Sequence, residues 1–313
     1  MKLFYCDHFV LPLPDGHRFP MRKYSLLRER VIELGIVEPE DLLVPDPVSR
    51  ADLERAHDPN YVRRVIDGSL SAREIRRIGF PWSPELVERS RRSAGGTVAA
   101  SRAALADGAS VNLAGGTHHA AAASGEGFCV FNDSAIAARA VQADRAADRI
   151  AVFDCDVHQG NGTASIFADD PTVFTFSVHG AKNFPFQKTQ SDLDVELEDG
   201  STDDQYLEAV EKGLAAVVEV GKPDLVIYVS GADPLDGDKF GRLSVSKRGL
   251  AARDRMVFET LVGAGIPVAV VMAGGYAPDV QDTVDVHVET VRAAVRGTAA
   301  MDSLASRQQV VTG

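Results

Sequence analysis

Four apolar segments of this chain each end in a short polar or glycine-rich motif, and this arrangement constrains the fold more than any other feature. The segments are residues 109–113, 149–153, 223–230 and 266–272. They are short and mostly rich in β-branched residues, as buried strands are. Helical patterns lie between them, and strands that alternate with helices form parallel sheets. We therefore expect an α/β fold, with one domain over residues 1–313 and three α/β/α layers around a mostly parallel central sheet.

Capping residues and glycines predict where helices begin and end. Ser83-Pro84-Glu85 combines an N-cap residue, a proline at the first helical position and an early carboxylate, and predicts a helix to about residue 106. The arginines of 89–92 would then lie on its solvated face. Further helices are expected at 132–147, 201–220 and from 246 to 263 or 265. The part before about residue 77 is more polar and mixed, and its prolines at 12, 14, 45 and 47 predict loops at those positions. Residues 303–313 show no apolar period and are expected to form a frayed tail.

The run Asp-Cys-Asp-Val-His-Gln-Gly-Asn-Gly at 154–162 follows the second apolar segment. Side chains alternate along a strand, which would place Asp154, Asp156 and His158 on one side. Such groups are costly to bury together unless they bind something, and carboxylates with an imidazole suit a divalent ion such as zinc. An isolated Asp-x-Asp is more often a loop or a helix cap. The metal hypothesis therefore depends on the motifs that follow the other three strands, among them the tandem His118-His119.

Composition limits the classes of function. The chain is 45% hydrophobic and 25% charged, as ordinary globular proteins are, and contains no apolar run long enough to span a membrane. The N-terminus lacks a secretory pattern, and three cysteines cannot form a disulfide framework, so we expect a cytoplasmic protein. A net charge of −12 argues against nucleic-acid binding. It is compatible with a basic substrate, although acidic cytosolic enzymes are common.

The motifs resemble those of the zinc-dependent histone deacetylase superfamily, which has the arginase-deacetylase fold. The resemblance follows the family's order along nearly the whole chain, at residues 4–8, 118–119, 127–133, 154–162, 231–238 and 274–276. Within the superfamily, Gln159-Gly160-Asn161-Gly162 and the 90–96 approach to a Gly-Gly-Thr helix are most similar to the class IV branch and its bacterial relatives.

The resemblance implies one catalytic zinc per chain, with Fe²⁺ as the alternative metal, held by Asp156, His158 and Asp233. Three protein ligands leave a position open for water or substrate. Tyr276 follows two glycines that let the backbone turn tightly, and by resemblance its hydroxyl donates to the oxyanion of the reaction.

His118 and His119 are the candidates for proton transfer, because imidazole serves as acid and base near neutral pH. The resemblance makes His119 the principal base and then the acid, and places Asp154 behind His118. Behind His119 this chain has Asn161, where many family members carry Asp. An amide does not compensate an imidazolium as a carboxylate does, so we expect His119 to be less basic here.

Two further features are implied by the resemblance alone. An apolar tunnel for an acyl-lysine-like chain would be walled by Gly127, Phe128, Phe184 and Gly275. A structural potassium ion would be held by Asp154, by backbone carbonyls of Asp156 and His158, and by Ser177 and Val178.

The implied function is removal of acyl groups from acyl-lysine side chains or similar acylated amines by metal-activated water. The alternatives are an acetylpolyamine amidohydrolase, a ureohydrolase with two manganese ions, and an inactive protein that binds acyl-lysine. The sequence leaves the acyl-chain length, the choice between protein and small-molecule substrates, and the oligomeric state open.

Overall fold

Eight strands form one sheet in the computed structural model, which describes residues 1–312 and the side chains as far as Met301. In chain order they are β1 Leu3–Phe4, β2 Leu42–Leu43, β3 Ala109–Asn112, β4 Ile150–Asp154, β5 Val173–Gly180, β6 Leu193–Leu197, β7 Leu225–Ser230 and β8 Val268–Met272. The order across the sheet is β2-β1-β3-β8-β7-β4-β5-β6, and every neighbouring pair is parallel. The expected parallel sheet is confirmed.

Ten α-helices, counted over residues 1–312, surround this sheet. They are α1 Arg22–Glu33, α2 Arg50–Ala56, α3 Pro59–Asp67, α4 Ala72–Ile78, α5 Pro84–Asp107, α6 Asp133–Ala143, α7 Asn161–Phe167, α8 Asp203–Ala216, α9 Lys247–Gly263 and α10 Val280–Thr312. The predicted cap at Ser83 is present: its side chain accepts from the Leu86 N–H at the start of α5. Asn132, which was not predicted as a cap, accepts from the Ala135 N–H at the start of α6.

Side-chain alternation along β4 divides the interior into two cores. Ala151 and Phe153 pack into one core, which α1, α8, α9 and α10 cover. Ile150 and Val152 point the other way, into a core covered by α3, α5 and α6. A strand that buries both faces needs a helical layer on each side, so the α/β/α arrangement follows from its continuous apolar sequence.

The four strands predicted from sequence are direct neighbours at the centre of the sheet, in the order β3-β8-β7-β4. Their carboxyl ends therefore meet at one edge, where ligands bind in open α/β sheets. The motifs after these strands, though up to about 160 residues apart in the chain, are thereby brought together.

In the N-terminal region the four prolines lie in loops, as predicted, but the region also contains elements that were not predicted. It contains β1, β2 and the helices α1 to α4. In α3, Tyr61, Val62 and Val65 are completely buried, although polar and charged residues lie between and around them. These short amphipathic helices were obscured by the prolines and charges around them, because tertiary burial stabilises a short helix more than its own propensity does.

The arginines of α5 also differ from their prediction as a solvated face. Arg89 is buried, and its guanidinium donates to the carbonyls of Cys6 and Phe9. Arg91 donates to the Val48 carbonyl. Sequence periodicity did not indicate this role, because the carbonyl partners belong to loops about 40 to 80 residues earlier in the chain.

The C-terminal helix α10 was not predicted, and it extends to Thr312. The tail predicted at 303–313 lies outside the residues whose side chains the structure describes, so its fraying stays a prediction. Within residues 1–312, no helix is both long and apolar enough to span a bilayer.

Candidate active site

The loop after β4 folds back on itself through its own carboxylates. The Asp156 N–H donates to Asp154 Oδ1 over 3.0 Å, and the His158 N–H donates to Asp156 Oδ1 over 2.9 Å. The sequence interpretation assumed that strand alternation places these side chains on one side. That assumption is wrong, because β4 ends at Asp154 and the residues that follow it are not in a strand. Local side-chain-to-backbone hydrogen bonds form the cluster instead.

Asp156, His158 and Asp233 offer ligand atoms that all lie within 4.8 Å of one another. The His158 Nδ1 atom is 2.9 Å from Asp156 Oδ1 and 3.2 Å from Asp233 Oδ2. All three side chains are nearly or completely buried. Among the described residues, Asp233 Oδ2 has no hydrogen-bond partner. A buried carboxylate oxygen with a free lone pair, facing a second carboxylate and an imidazole, fits a divalent cation.

The protonation of this cluster supports the same conclusion. Burial and the neighbouring charge of Asp156 raise the pKa of Asp233 to about 7. Burial opposes a charge on His158, but the Asp156 and Asp233 carboxylates beside its Nδ1 atom outweigh burial and raise the His158 pKa to about 10. The two carboxylates thus hold a proton on the imidazole. A cation bound between them would displace that proton.

Glycines let the backbone approach the carboxylates closely. The Gly274 N–H donates to Asp156 Oδ2 over 2.7 Å. A Cβ atom on Gly274 would collide with Asp233 Oδ2, and one on Gly231 would lie 2.5 Å from the Asp156 Cα. The glycines of the Gly-Ala-Asp and Gly-Gly-Tyr motifs are therefore required by space at the cluster.

The two adjacent histidines lie in opposite environments, although their rings are only 4.2 Å apart. His118 Nδ1 lies 2.7 Å from Asp154 Oδ2. Burial lowers its pKa, but the charges of Asp154 and Asp156 outweigh burial and raise the pKa to about 9. His119 Nδ1 lies 2.7 Å from the amide oxygen of Asn161. Burial and the charges of the neighbouring histidines hold the His119 pKa well below its ordinary value.

The predicted partners of both histidines lie beside them. The effect of Asn161 on the basicity of His119 stays a prediction, because burial and the neighbouring histidines are what lower the His119 pKa here. The result is one imidazole that carries a proton and one that stays neutral. Pairs of titratable groups whose environments shift their pKa values in opposite directions are typical of acid–base sites.

These groups lie at the floor of a cavity of about 1070 Å³. Gly127, Phe128 and Phe184 line the cavity, as the tunnel hypothesis expects. The rings of Phe184 and His119 meet edge to face, with centroids 5.0 Å apart. Gly274 and Tyr276 also line the cavity. Gly275, which the tunnel hypothesis included, is absent from the described lining, and a Cβ atom added to it would meet the Thr283 side chain instead.

Tyr276 is held over the floor by its backbone. Its N–H donates to Asp238 Oδ2 over 2.6 Å, and its ring packs on Phe240 at 4.7 Å. Burial and the charges of Asp233 and Asp156 hold the pKa of its hydroxyl well above the ordinary value, so the phenol stays protonated.

Of the residues assigned to potassium by resemblance, Asp154, Ser177 and Val178 lie on two neighbouring strands, and Asp156 and His158 lie in the loop after β4. Ser177 on β5 is the register partner of Asp154 on β4, and Val178 follows it in the buried part of β5. The Ser177 hydroxyl is 2.9 Å from His179 Nδ1.

Three residues near the site were given no role at sequence level. Lys23 is buried, donates to the Ala273 carbonyl over 2.9 Å and lies 5.4 Å from the Tyr276 ring. Asp238 lies within the 231–238 motif, where its carboxylate was the available signal. Glu126 contacts Asn161 from a distant loop, and no spacing pattern indicated it.

Comparison with known proteins yields a consistent result. The profile of the histone deacetylase domain matches residues 17–291. An uncharacterized protein of Picosynechococcus sp. is 47% identical over 290 residues, which are 93% of this chain and 97% of that protein. Histone deacetylase 2 of Arabidopsis thaliana is 31% identical over 83% of this chain and 70% of its own length. The crystal structure of an HDAC homolog complexed with SAHA shares the fold, with a TM-score of 0.79 and 24% identity over 92% of this chain and 83% of that one.

Proposed function

Because the chain belongs to the histone deacetylase family, we propose that it removes acyl groups from acyl-lysine side chains or similar acylated amines, with zinc as its metal. Family membership makes it a hydrolytic deacetylase-type enzyme. One observation supports the detailed mechanism most strongly: a metal-competent triad, two histidines of opposite protonation and a protonated tyrosine share one cavity floor.

Asp156, His158 and Asp233 would hold the zinc. The free lone pair of Asp233 Oδ2 and the close approach of both carboxylates to His158 support this assignment. When bound, zinc supplies a Lewis acid and lowers the pKa of water to about 7. Fe²⁺ would accept the same ligands and is the alternative metal. For potassium, the support is the pairing of Ser177 with Asp154 across two strands.

His119 would take the proton from the attacking water and deliver it to the leaving amine. A neutral imidazole that donates from Nδ1 to Asn161 has its Nε2 lone pair free for a proton. The distance of 2.7 Å between Nδ1 and Asn161 Oδ1 and the depressed pKa both support that state.

His118 and Tyr276 would stabilise the charge that develops on the substrate. His118 is the imidazole that keeps its proton, through Asp154 at 2.7 Å. The Tyr276 hydroxyl would donate to the carbonyl oxygen as negative charge grows there, an interaction often worth about 3 kcal/mol. Its raised pKa keeps the hydroxyl a donor across the physiological range.

Hydrolysis by zinc-loaded protein of a panel of acetyl-lysine, long-chain acyl-lysine and acetylpolyamine substrates tests the proposal, with a chelator control. Chelator-sensitive cleavage of acyl-lysine is expected. Preferential cleavage of acetylpolyamine would favour the polyamine alternative, and binding of acyl-lysine without cleavage would favour an inactive binding protein.

Metal stoichiometry separates the deacylase from a ureohydrolase of the same fold. One ion per chain is expected here, because one triad of ligands is recognised among the described residues. Two ions per chain would favour the binuclear alternative. The class IV assignment stays a prediction.

A further inference from the structure

The mouth of the cavity carries the opposite charge to the protein as a whole. Six exposed cationic residues line the cavity above its floor. The described lining contains three acidic residues; Asp156 and Asp233 lie at the floor, which leaves Glu126 at the mouth. The net charge of the chain is −12. The six are Arg18, Arg76, Arg77, Lys182, Lys239 and Arg242.

These six cations divide into paired and unpaired groups. Arg77, Lys182 and Arg242 form ion pairs with Glu126, Glu198 or Asp199. For Arg18, Arg76 and Lys239, no carboxylate among the described residues lies within 4.0 Å. Arg76 also suits the C-terminal turn of α4, but Arg18 and Lys239 lie in loops, where no helix dipole explains them. Unpaired cations around a concave entrance attract anions to it.

We infer that the enzyme prefers acyl-lysine in an acidic peptide segment, whose carboxylates contact this mouth. The inference rests on the proposed function and specifies its substrate class. It argues against the basic substrates with which the net charge alone is compatible, because the mouth would repel their positive charges.

The test compares three peptides with the same acyl-lysine, flanked by acidic, neutral or basic residues. We expect kcat/KM to fall in that order, by about tenfold from acidic to basic at low salt, with the difference mainly in KM. Arg76→Glu should weaken this preference, because it reverses one of the three unpaired charges at the mouth. Arg73→Glu is the matched control, because this substitution changes the net charge by the same amount. Arg73 is exposed on the same helix and does not line the cavity.

The outcomes separate this inference from the function beneath it. Chelator-sensitive cleavage of all three peptides at equal rates, or equal effects of Arg76→Glu and Arg73→Glu, would overturn the acidic preference and leave the deacylase intact. No cleavage of any peptide would contradict the deacylase itself.

A second inference comes from the hydrogen bonds behind His119. Asn161 Nδ2 donates to Glu126 Oε1 over 2.7 Å, and Glu126 Oε2 accepts from Arg77 Nε over 2.7 Å. The Glu126 side chain is 13% exposed, so this carboxylate is largely sheltered from water. An ionised carboxylate only accepts hydrogen bonds, which fixes the amide with its nitrogen toward Glu126 and its oxygen toward His119.

This orientation fixes the tautomer of His119. Because Asn161 presents an oxygen, His119 Nδ1 must donate, and its Nε2 is left as the acceptor. We propose that Glu126 is a positioning residue, which acts on His119 through the amide of Asn161.

A double-mutant cycle tests this role. Glu126→Gln should lower kcat by about tenfold with little change in KM, because a glutamine also donates and no longer fixes the amide. In an Asn161→Asp background the same substitution should raise kcat, since it removes one of two adjacent carboxylates and supplies a donor to the other. Arg77→Gln, which keeps the carboxylate, is the control and should change kcat less.

The reversal of sign is the decisive readout, because a merely structural loss would be harmful in both backgrounds. A Glu126→Gln substitution that lowers kcat in both backgrounds, or changes it in neither, would overturn the proposal.

Discussion

The floor and the mouth of the cavity carry charges of opposite sign. At the floor, Asp154, Asp156 and Asp233 are buried and lie against histidines. At the mouth, exposed arginines and lysines dominate. Buried charges need compensation from a metal or a proton, whereas exposed charges at an entrance act at a distance on what approaches. The net charge of −12 therefore describes neither region by itself.

The two regions also differ in how the chain builds them. The floor comes from loops that immediately follow adjacent central strands. The mouth collects Arg18 from an N-terminal loop, Arg76 from α4 and Lys239 from the loop after β7. A substitution at the floor should therefore change mainly kcat, because it alters the chemical step. A substitution at the mouth should change mainly KM, because it alters how the substrate is attracted.

Removal of a floor carboxylate should have the largest effect. Asp233→Asn should lower kcat/KM by about a thousandfold or more, which corresponds to about 4 kcal/mol, because the amide is a poor ligand for zinc. Zinc content per chain should fall in parallel, as measured by elemental analysis. Stability of the metal-free protein should rise, because the burial and repulsion that raise the pKa of Asp233 are removed.

Asp236→Asn is the matched control for that experiment. Asp236 is exposed and belongs to the same 231–238 motif, but it does not line the cavity. It should retain zinc and activity. Full zinc content and activity in Asp233→Asn would contradict the assignment of the triad.

The next largest effect is expected at Tyr276. Tyr276→Phe removes one hydroxyl and should lower kcat by about 10²- to 10³-fold, because the donor acts on charge that develops during the reaction. Zinc content should not change. Tyr24→Phe is the comparison and should change kcat much less, since Tyr24 contacts the same Lys23 ammonium but is given no role in the reaction. A fully active Tyr276→Phe enzyme would refute the role of the hydroxyl.

The strands that carry the floor motifs could be predicted from the sequence for a physical reason. Buried parallel strands have a recognisable apolar pattern, and ligands gather at their carboxyl ends, so β3, β4, β7 and β8 and the motifs that follow them could be identified in advance. Even there, the loop hydrogen bonds of Asp156 and His158 replaced the strand alternation we expected.

The mouth could not be predicted from one sequence. Arg76 and Lys239 are about 160 residues apart, and no periodicity relates a helix end to a distant loop. Glu126 and Lys23 were missed for the same reason, because each reaches the site through a tertiary contact. Charged residues in separate loops form a common surface only when the fold brings those loops together, so their role cannot be read from sequence spacing.

Asn161→Asp should have a smaller effect that depends on pH. A carboxylate at this position stabilises the imidazolium of His119, so the His119 pKa should rise from its depressed value. The base must be neutral to act. As the pH is lowered, the variant should therefore lose activity at a higher pH than the parent does. The pH profile of kcat/KM from about pH 5 to pH 9 measures this shift of the acid limb. An unmoved profile, in Asn161→Asp alone or combined with Glu126→Gln, would contradict it.

Salt should have the smallest effect and should separate the two regions. Raising ionic strength from about 0.05 to 0.5 M shortens the screening length several-fold, so kcat/KM for an acidic acyl-lysine peptide should fall by a few-fold. The loss should lie in KM, since the exposed cations of the mouth act on approach, while kcat is set by buried groups that salt screens little. The same titration with a neutral peptide is the control and should be nearly flat. A salt dependence of kcat instead of KM would mean that the exposed charges of the mouth act on the buried groups of the floor. That result would contradict the separation of the two regions.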